Sequence, residues 1–80
     1  MKIKFYGQLG EKLGGEIDLA LPPGMATVVE LRNMLAEMYP DAAEDLLKKS
    51  RACIADAIVG EDRALADAQM VEFFPPLSGG

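Results

Sequence analysis

A carboxyl-terminal Gly79-Gly80, preceded by Pro75-Pro76-Leu77-Ser78, puts an α-carboxylate with no side chain beside it at the tip of a narrow segment. Glycine has no Cβ and accepts nearly any backbone geometry, which suits a segment that must enter a tight channel in another protein. Ordering two terminal glycines costs conformational entropy, so the end is expected to stay loose until something binds it. A purely structural end gains nothing from that looseness. An end whose carboxylate is chemically activated gains access. The bland alternative for two terminal glycines is a frayed end.

The rest of the chemical inventory is thin. Histidine is absent and cysteine occurs once, at Cys53. The lack of histidine removes the usual general base near neutral pH, so Ser-His and Cys-His catalysis within this chain is excluded. One cysteine forms no internal disulfide and makes poor equipment for zinc, and no metal site is expected. Set among Ala52, Ile54 and Ala55, Cys53 reads as a small buried hydrophobe, with a redox or persulfide role as the alternative. Lys48, Lys49 and Arg51 form a short basic cluster that reads as solvated surface.

Eighty residues make one small domain, half hydrophobic by count, with enough apolar material for a core without staples. The net charge of −5 disfavours nucleic acid, which needs a basic footprint. It suits steering toward a basic protein partner, or serves solubility alone. The opening Met1-Lys2-Ile3-Lys4-Phe5 runs straight into a strand pattern. No signal peptide or apolar span is legible, so a cytoplasmic location without membrane contact is expected.

The elements that must hold the end segment follow from periodicity. Ile3, Phe5 and Leu9 alternate with Lys2, Lys4, Tyr6 and Gln8, as in a half-buried strand. The Gly10 to Gly15 stretch reads as a turn with one helical turn around Glu11-Lys12-Leu13. A second strand has Ile17, Leu19 and Leu21 inward, and Pro22-Pro23-Gly24 stops it. The two strands suggest an antiparallel hairpin. Thr27-Val28-Val29-Glu30 is a capping box opening a helix whose apolar stripe is Val28, Leu31, Leu35 and Met38, flanked by Met34. Pro40 ends it. Asp41-Ala42-Ala43-Glu44 reads as a weaker cap for a short helix through Leu46-Leu47. Arg51 to Val59 is a further strand region, followed by the polar turn Gly60 to Arg63 and the connector Ala64 to Ala68. The last strand, Met70 to Phe74, delivers the end segment. In it Phe73 and Phe74 point to opposite faces: one belongs in the core, and the other, Phe74, is a candidate to dock a partner. The alternative packs both rings. This order implies a two-layer α+β architecture: a mixed sheet covered by one main helix plus a short helix.

The run Phe73-Phe74-Pro75-Pro76-Leu77-Ser78-Gly79-Gly80 closely resembles the terminus of the molybdopterin synthase small subunits, the MoaD-like sulfur carriers of molybdenum cofactor biosynthesis. Ile3-Lys4-Phe5-Tyr6-Gly7-Gln8-Leu9 and Thr27-Val28-Val29-Glu30-Leu31-Arg32 also fit, and the resemblance spans essentially the whole chain. Gly-Gly alone is shared by all ubiquitin-like carriers; the longer string is more specific. Two departures stand out. The family usually has an Asn in the segment Ile54-Ala55-Asp56, and a Gly-Asp-Glu turn where this chain has Ala68-Gln69-Met70.

The resemblance implies a ubiquitin-like β-grasp domain over residues 1–74 and a flexible tail over 75–80, with the first and last strands parallel and adjacent. It also implies a reaction cycle. A ubiquitin-activating-type enzyme would use ATP to adenylate the Gly80 carboxylate, and sulfur would replace AMP to give a thiocarboxylate. The tail would then donate sulfur to a pyranopterin precursor in the large subunit of molybdopterin synthase. That assembly would be a heterotetramer, with the catalytic lysine on the large subunit and no cofactor bound by this chain. Gly80 leaves the reacting carbonyl unobstructed, and Gly79 lets the backbone approach the channel wall. Pro75 and Pro76 fix φ, favour an extended course and stop the sheet. Leu77 is a candidate apolar anchor and Ser78 a polar contact. Six extended residues reach on the order of 20 Å, enough to enter a buried site in a partner.

Overall fold

A computed structural model of the chain describes residues 1–76. Residues Lys2–Phe5 form β1, with Ile3 and Phe5 buried and Lys2 turned outward. The strand is shorter than its alternation suggests. At Gly7 the backbone turns to φ 64°, and the chain enters α1, Gln8–Leu13. Leu9 is therefore buried from a helix, not from the strand expected to carry it, and the helical turn expected around Glu11-Lys12-Leu13 is the end of α1, which begins earlier, at Gln8. Gly10 lets the helix lie against the end of β1: a Cβ there would sit 2.8 Å from the Phe5 carbonyl oxygen. Strand β2, Glu16–Asp18, pairs antiparallel with β1 in the expected hairpin, Ile3 opposite Ile17. Leu19 and Leu21 lie beyond the strand but still pack on the core.

Helix α2 spans Val28–Met38 and opens on the capping box. Glu30 accepts hydrogen bonds from the Thr27 backbone N–H (3.1 Å) and hydroxyl (2.9 Å). Val28, Leu31 and Leu35 are fully buried, as the stripe implies, but Met38 is 43% exposed. The buried face runs 28, 31, 32, 35 and 36, and at about 100° per residue Met38 falls about 90° from its centre. Arg32 occupies the position the stripe leaves between the leucines.

Pro40 ends α2 as expected, but the next segment is a 3₁₀ turn, Pro40–Ala42, running into α3, Ala43–Lys48. Asp41 therefore lies inside the turn and caps nothing. The region Arg51 to Val59 is two strands, β3 (Arg51–Ile54) and β4 (Ala57–Val59), joined by a tight hairpin at Ala55-Asp56. Both hairpin residues have positive φ, 53° and 67°, the signature of a primed turn that matches the strand twist. Strand β5 is Met70–Phe74, with the limits read from the sequence. The turn before it closes through Ala68 N–H to the Leu65 carbonyl, 3.0 Å, and no residue from 64 to 70 has positive φ. That turn has no need of the glycine that the resemblance leads one to expect there.

The sheet order is β2-β1-β5-β3-β4. Strand β5 lies in the middle, parallel to β1 and antiparallel to β3. One face, carrying Ile3, Phe5, Ala52, Ile54, Val71 and Phe73, packs against Val28, Leu31 and Leu35 of α2 and Leu46 of α3. This is an α+β, two-layer arrangement with one main helix and a short one, and its strand order is that of the ubiquitin-like β-grasp.

Candidate functional site at the end of the central strand

The carboxyl end of β5 is where the fold presents its end segment. Alternation sends Val71 and Phe73 into the core and leaves Glu72 and Phe74 half-buried on the opposite face. The two phenylalanines separate as expected. Phe73 has no exposed surface; its ring stacks 6.0 Å from Phe5, and the Arg32 guanidinium sits 5.2 Å from its centroid. Arg32 is itself buried and held by Glu61, whose two carboxylate oxygens each accept at 2.9 Å, and by the Leu46 carbonyl and Ser50. The carboxyl end of β5 is thus anchored on its core face by a satisfied cation.

Phe74 lies on the other face, stacked on Tyr6 with centroids 4.3 Å apart and planes within 2°. Two hydrogen bonds fix Tyr6. Its backbone N–H donates to the Phe73 carbonyl (3.1 Å), continuing the β1–β5 ladder, and its hydroxyl donates to the Glu72 carboxylate (2.6 Å). That hydrogen bond, then burial and the Glu72 charge, push the Tyr6 phenol above its ordinary pKa of 10. At physiological pH Tyr6 therefore stays neutral, its hydroxyl donating to the Glu72 carboxylate.

Pro75 and Pro76 follow, both exposed. Proline offers no N–H to a neighbouring strand, so the ladder stops at Phe74. The prolines border a cleft of about 250 Å³ whose other walls are Tyr6, Gln8, Leu9, Asp45 and Lys49. Asp45 accepts from Lys12 Nζ at 2.7 Å, tying α3 to α1 beneath this cleft. The Lys12 hydrogen bond holds the Asp45 carboxyl below its ordinary range against the opposing effect of burial, and the same contact raises Lys12. A larger groove, about 750 Å³, lies at the opposite end of β5 and is lined mostly by alanine, leucine and methionine, with no ionisable side chain.

Of the site residues read from the sequence, Phe74, Pro75 and Pro76 meet here. Leu77, Ser78, Gly79 and Gly80 lie outside the described residues. Tyr6, Glu72, Lys12 and Asp45 were not singled out. Tyr6 and Glu72 had a weak signal, since alternation puts both on the outer face and the parallel pairing of the end strands brings them together. Lys12 and Asp45 lie 33 positions apart, and no local pattern joins them.

Cys53 is buried, 8% exposed, beside Glu72 on β5, and burial pushes its thiol up. It behaves as the small hydrophobe expected. Lys48, Lys49 and Arg51 are exposed, with Lys49 3.5 Å from Glu44. Among the described residues there is no group of three or more His, Cys, Asp or Glu placed to hold a metal, and no helix long and apolar enough to cross a membrane.

The model of the ThiS family matches residues 3–80. The fold is similar to that of a protein from Pyrococcus furiosus provisionally named molybdopterin converting factor, subunit 1. The TM-score is 0.76 at 19% identity, over 95% of each chain. It is also similar to SAMP1 from Haloferax volcanii, with a TM-score of 0.70 at 22% identity, over 99% of this chain and 97% of that one. No curated relative matches the chain.

Proposed function

The chain belongs to the ThiS family of ubiquitin-like sulfur carriers, and from that premise we propose that it is the sulfur-carrying small subunit of a molybdopterin synthase. The observation that supports this most is the Phe-Phe-Pro-Pro-Leu-Ser-Gly-Gly string at the end of the central strand: Phe73 anchors it in the core, Phe74 stays outside, and Pro75-Pro76 lead away from the sheet.

In this reading the Gly80 carboxylate attacks the α-phosphorus of ATP on a ubiquitin-activating-type enzyme, and pyrophosphate leaves. A carboxylate is a poor electrophile; the acyl-adenylate has a good leaving group. A sulfide-level nucleophile then adds to the Gly80 carbonyl and the C–O bond to AMP breaks, so that AMP leaves and a thiocarboxylate remains. The segment from Pro75 to Gly80 enters the large subunit and gives the sulfur to a pyranopterin precursor; two such transfers build a dithiolene. Leu77 and Ser78 contact the channel, and Phe74 with the cleft beside Pro75 meets the rim. Two large and two small subunits make up the complex. ATP is consumed by the activating enzyme, and this chain acts as a protein co-substrate.

A second reading keeps the thiocarboxylate and changes the acceptor: thiamine thiazole, cysteine or tRNA thiolation. Membership of the ThiS family is compatible with it, and Pro75-Pro76 favour the first. Tight binding to a synthase large subunit separates the two.

The test is the intact mass of the chain after incubation with ATP, its host's activating enzyme and a sulfur source. The expected result is a gain equal to one oxygen-to-sulfur exchange, mapped to Gly80. An unchanged mass, with the enzyme active on another carrier, would point instead to a ubiquitin-like interaction module whose end is never activated. Appending one residue after Gly80 is expected to abolish the gain with folding intact; transfer by the extended chain without trimming overturns the carrier reading.

A further inference from the structure

We propose that Gly7 is a positioning residue that sets the direction in which the segment after β5 leaves the sheet. The proposal rests on the sulfur-carrier reading for its consequence and on local geometry for its substance. Gly7 sits between β1 and α1 with φ 64° and ψ −139°, a conformation open to glycine and costly for other L-residues. An ideal Cβ at this position would lie 3.0 Å from Pro75 Cγ and 3.3 Å from Pro75 Cδ. The proline ring therefore packs against the bare Gly7 Cα more closely than a side chain there would ordinarily allow. Gly14 and Gly24, the other glycines with positive φ among the described residues, meet nothing within 4 Å. Their role is the turn alone.

The two sides of the contact differ in stiffness. Gly7 is held by its neighbours: the Tyr6 N–H is bonded to Phe73, and the Gly7 carbonyl accepts from Glu11 N–H at 3.2 Å in the first turn of α1. Pro75 is exposed, one residue past the last ladder pair. A methyl group at position 7 is therefore accommodated by the proline moving away, which re-aims the chain at the root of the end segment. The docking face made by Tyr6 and Phe74 stays in place. The contact requires Pro75 to give by a few tenths of an ångström; misplacing a reacting group by about 1 Å can cost about 100-fold in rate, so a smaller loss, about tenfold, is expected.

The test uses the full chain. By NMR, nuclear Overhauser contacts are expected between the Gly7 Hα and Pro75 Hγ protons. In Gly7→Ala, the Cα–Hα residual dipolar couplings of Pro75 and Pro76 are expected to change while those of β1 and β5 do not. Unchanged couplings at the prolines overturn the proposal. In thiocarboxylate formation, Gly7→Ala is expected to lower kcat about tenfold with KM nearly unchanged, because the change is confined to the root of the end segment and leaves the folded surface of the domain as it was. The double variant Gly7→Ala/Pro75→Ala should return to the rate of Pro75→Ala alone, although both chains with the Gly7→Ala change melt about 5 °C lower. A double variant as slow as Gly7→Ala means that backbone strain, not the contact, causes the loss, and overturns the proposal.

If Gly7→Ala does not fold, a methyl group on the Pro75 Cγ face toward Gly7 crowds the contact from the exposed side. The same fall in kcat is expected, absent in the opposite epimer; equal rates in both epimers overturn the proposal. If the unsubstituted chain forms no thiocarboxylate with an active enzyme, the carrier reading fails. The dipolar couplings of Pro75 and Pro76, in Gly7→Ala or in the two epimers, then decide the role of Gly7.

Discussion

Phe74 lies flat on Tyr6, ring planes within 2° and centroids 4.3 Å apart, on the face of the sheet that the helices leave open. The adjacent residue, Phe73, is fully enclosed on the other face. Two identical side chains thus sit one residue apart in opposite environments, and they are expected to respond differently to truncation. Phe73→Ala removes a packed core ring and should cost about 3–5 kcal/mol, a large part of the stability of so small a domain. Phe74→Ala should cost less than about 1 kcal/mol in folding, yet weaken binding to the proposed large subunit by about 30-fold, as for an aromatic hot spot. Denaturant titration and calorimetric binding of each variant check this. Equal effects of Phe74→Ala on folding and binding would contradict it.

The Tyr6–Glu72 hydrogen bond makes a prediction at alkaline pH. The phenol is raised in the folded protein, so its contribution to stability is fully present below the unfolded value near 10. That contribution disappears as pH rises through the higher folded value. Spectrophotometric titration of a Tyr39→Phe background, in which Tyr6 is the remaining tyrosine, should show ionisation above 10. Adding Glu72→Gln should bring the midpoint back down, because the accepting charge is gone. In Tyr6→Phe the tyrosine's share of this alkaline loss should vanish, leaving the share of Lys12, whose pKa is also raised on folding.

Much of this arrangement was legible in residue order, and the failures share a physical cause. The alternation of Ile3, Phe5, Val71 and Phe73 gave the buried faces of β1 and β5, and the Thr27–Glu30 box gave the start of α2. The errors fall where tertiary contact overrides local pattern. Leu9 continued the β1 alternation in sequence, but Gly7 breaks the strand and delivers the same leucine from a helix. Met38 extended the α2 stripe by spacing, while Arg32 held the buried position nearer its centre. The signal for Arg32 was its place between Leu31 and Leu35, four residues after Val28. What hid it was that its partners, Glu61, Leu46 and Ser50, come from two later segments. At the candidate site, Phe74 and the prolines carry a composition signal, whereas Tyr6 and Glu72 become visible only when the first and last strands are paired.

The β3–β4 hairpin carries a residue poorly suited to its geometry. Ala55 has φ 53°, and a Cβ makes that conformation costly where glycine or asparagine is tolerated. The family resemblance also leads one to expect an Asn in this segment. Ala55→Asn or Ala55→Gly should therefore stabilise the domain by about 0.5–1 kcal/mol, or roughly 4 °C in Tm, with thiocarboxylate formation unchanged. Thermal unfolding of both variants checks it, and a lower Tm in both would show that Ala55 has packing that offsets its strain.

Lys12 and Asp45 set the behaviour at acid pH. The carboxylate accepts from Lys12 at 2.7 Å and its side chain is 12% exposed, while the lysine side chain is 45% exposed. The hydrogen bond from Lys12 lowers the Asp45 pKa, outweighing burial, which acts in the opposite direction. A carboxyl group lowered on folding contributes stability that is present above its unfolded value, near 4, and is lost as pH falls through the lower folded value. Asp45→Asn should therefore flatten the pH dependence of unfolding below about pH 4 and leave its shape above about pH 6 unchanged. Lys12→Met should do more than remove one partner. With the lysine gone, burial acts on Asp45 unopposed by its main compensating contact, and the carboxyl should rise, moving the loss of stability to higher pH. The double variant should resemble Asp45→Asn, because no carboxyl remains to be misplaced. Denaturant unfolding of the four proteins from about pH 2 to 7 separates these outcomes, and an unchanged acid transition in Lys12→Met would show that the contact leaves Asp45 unshifted in solution.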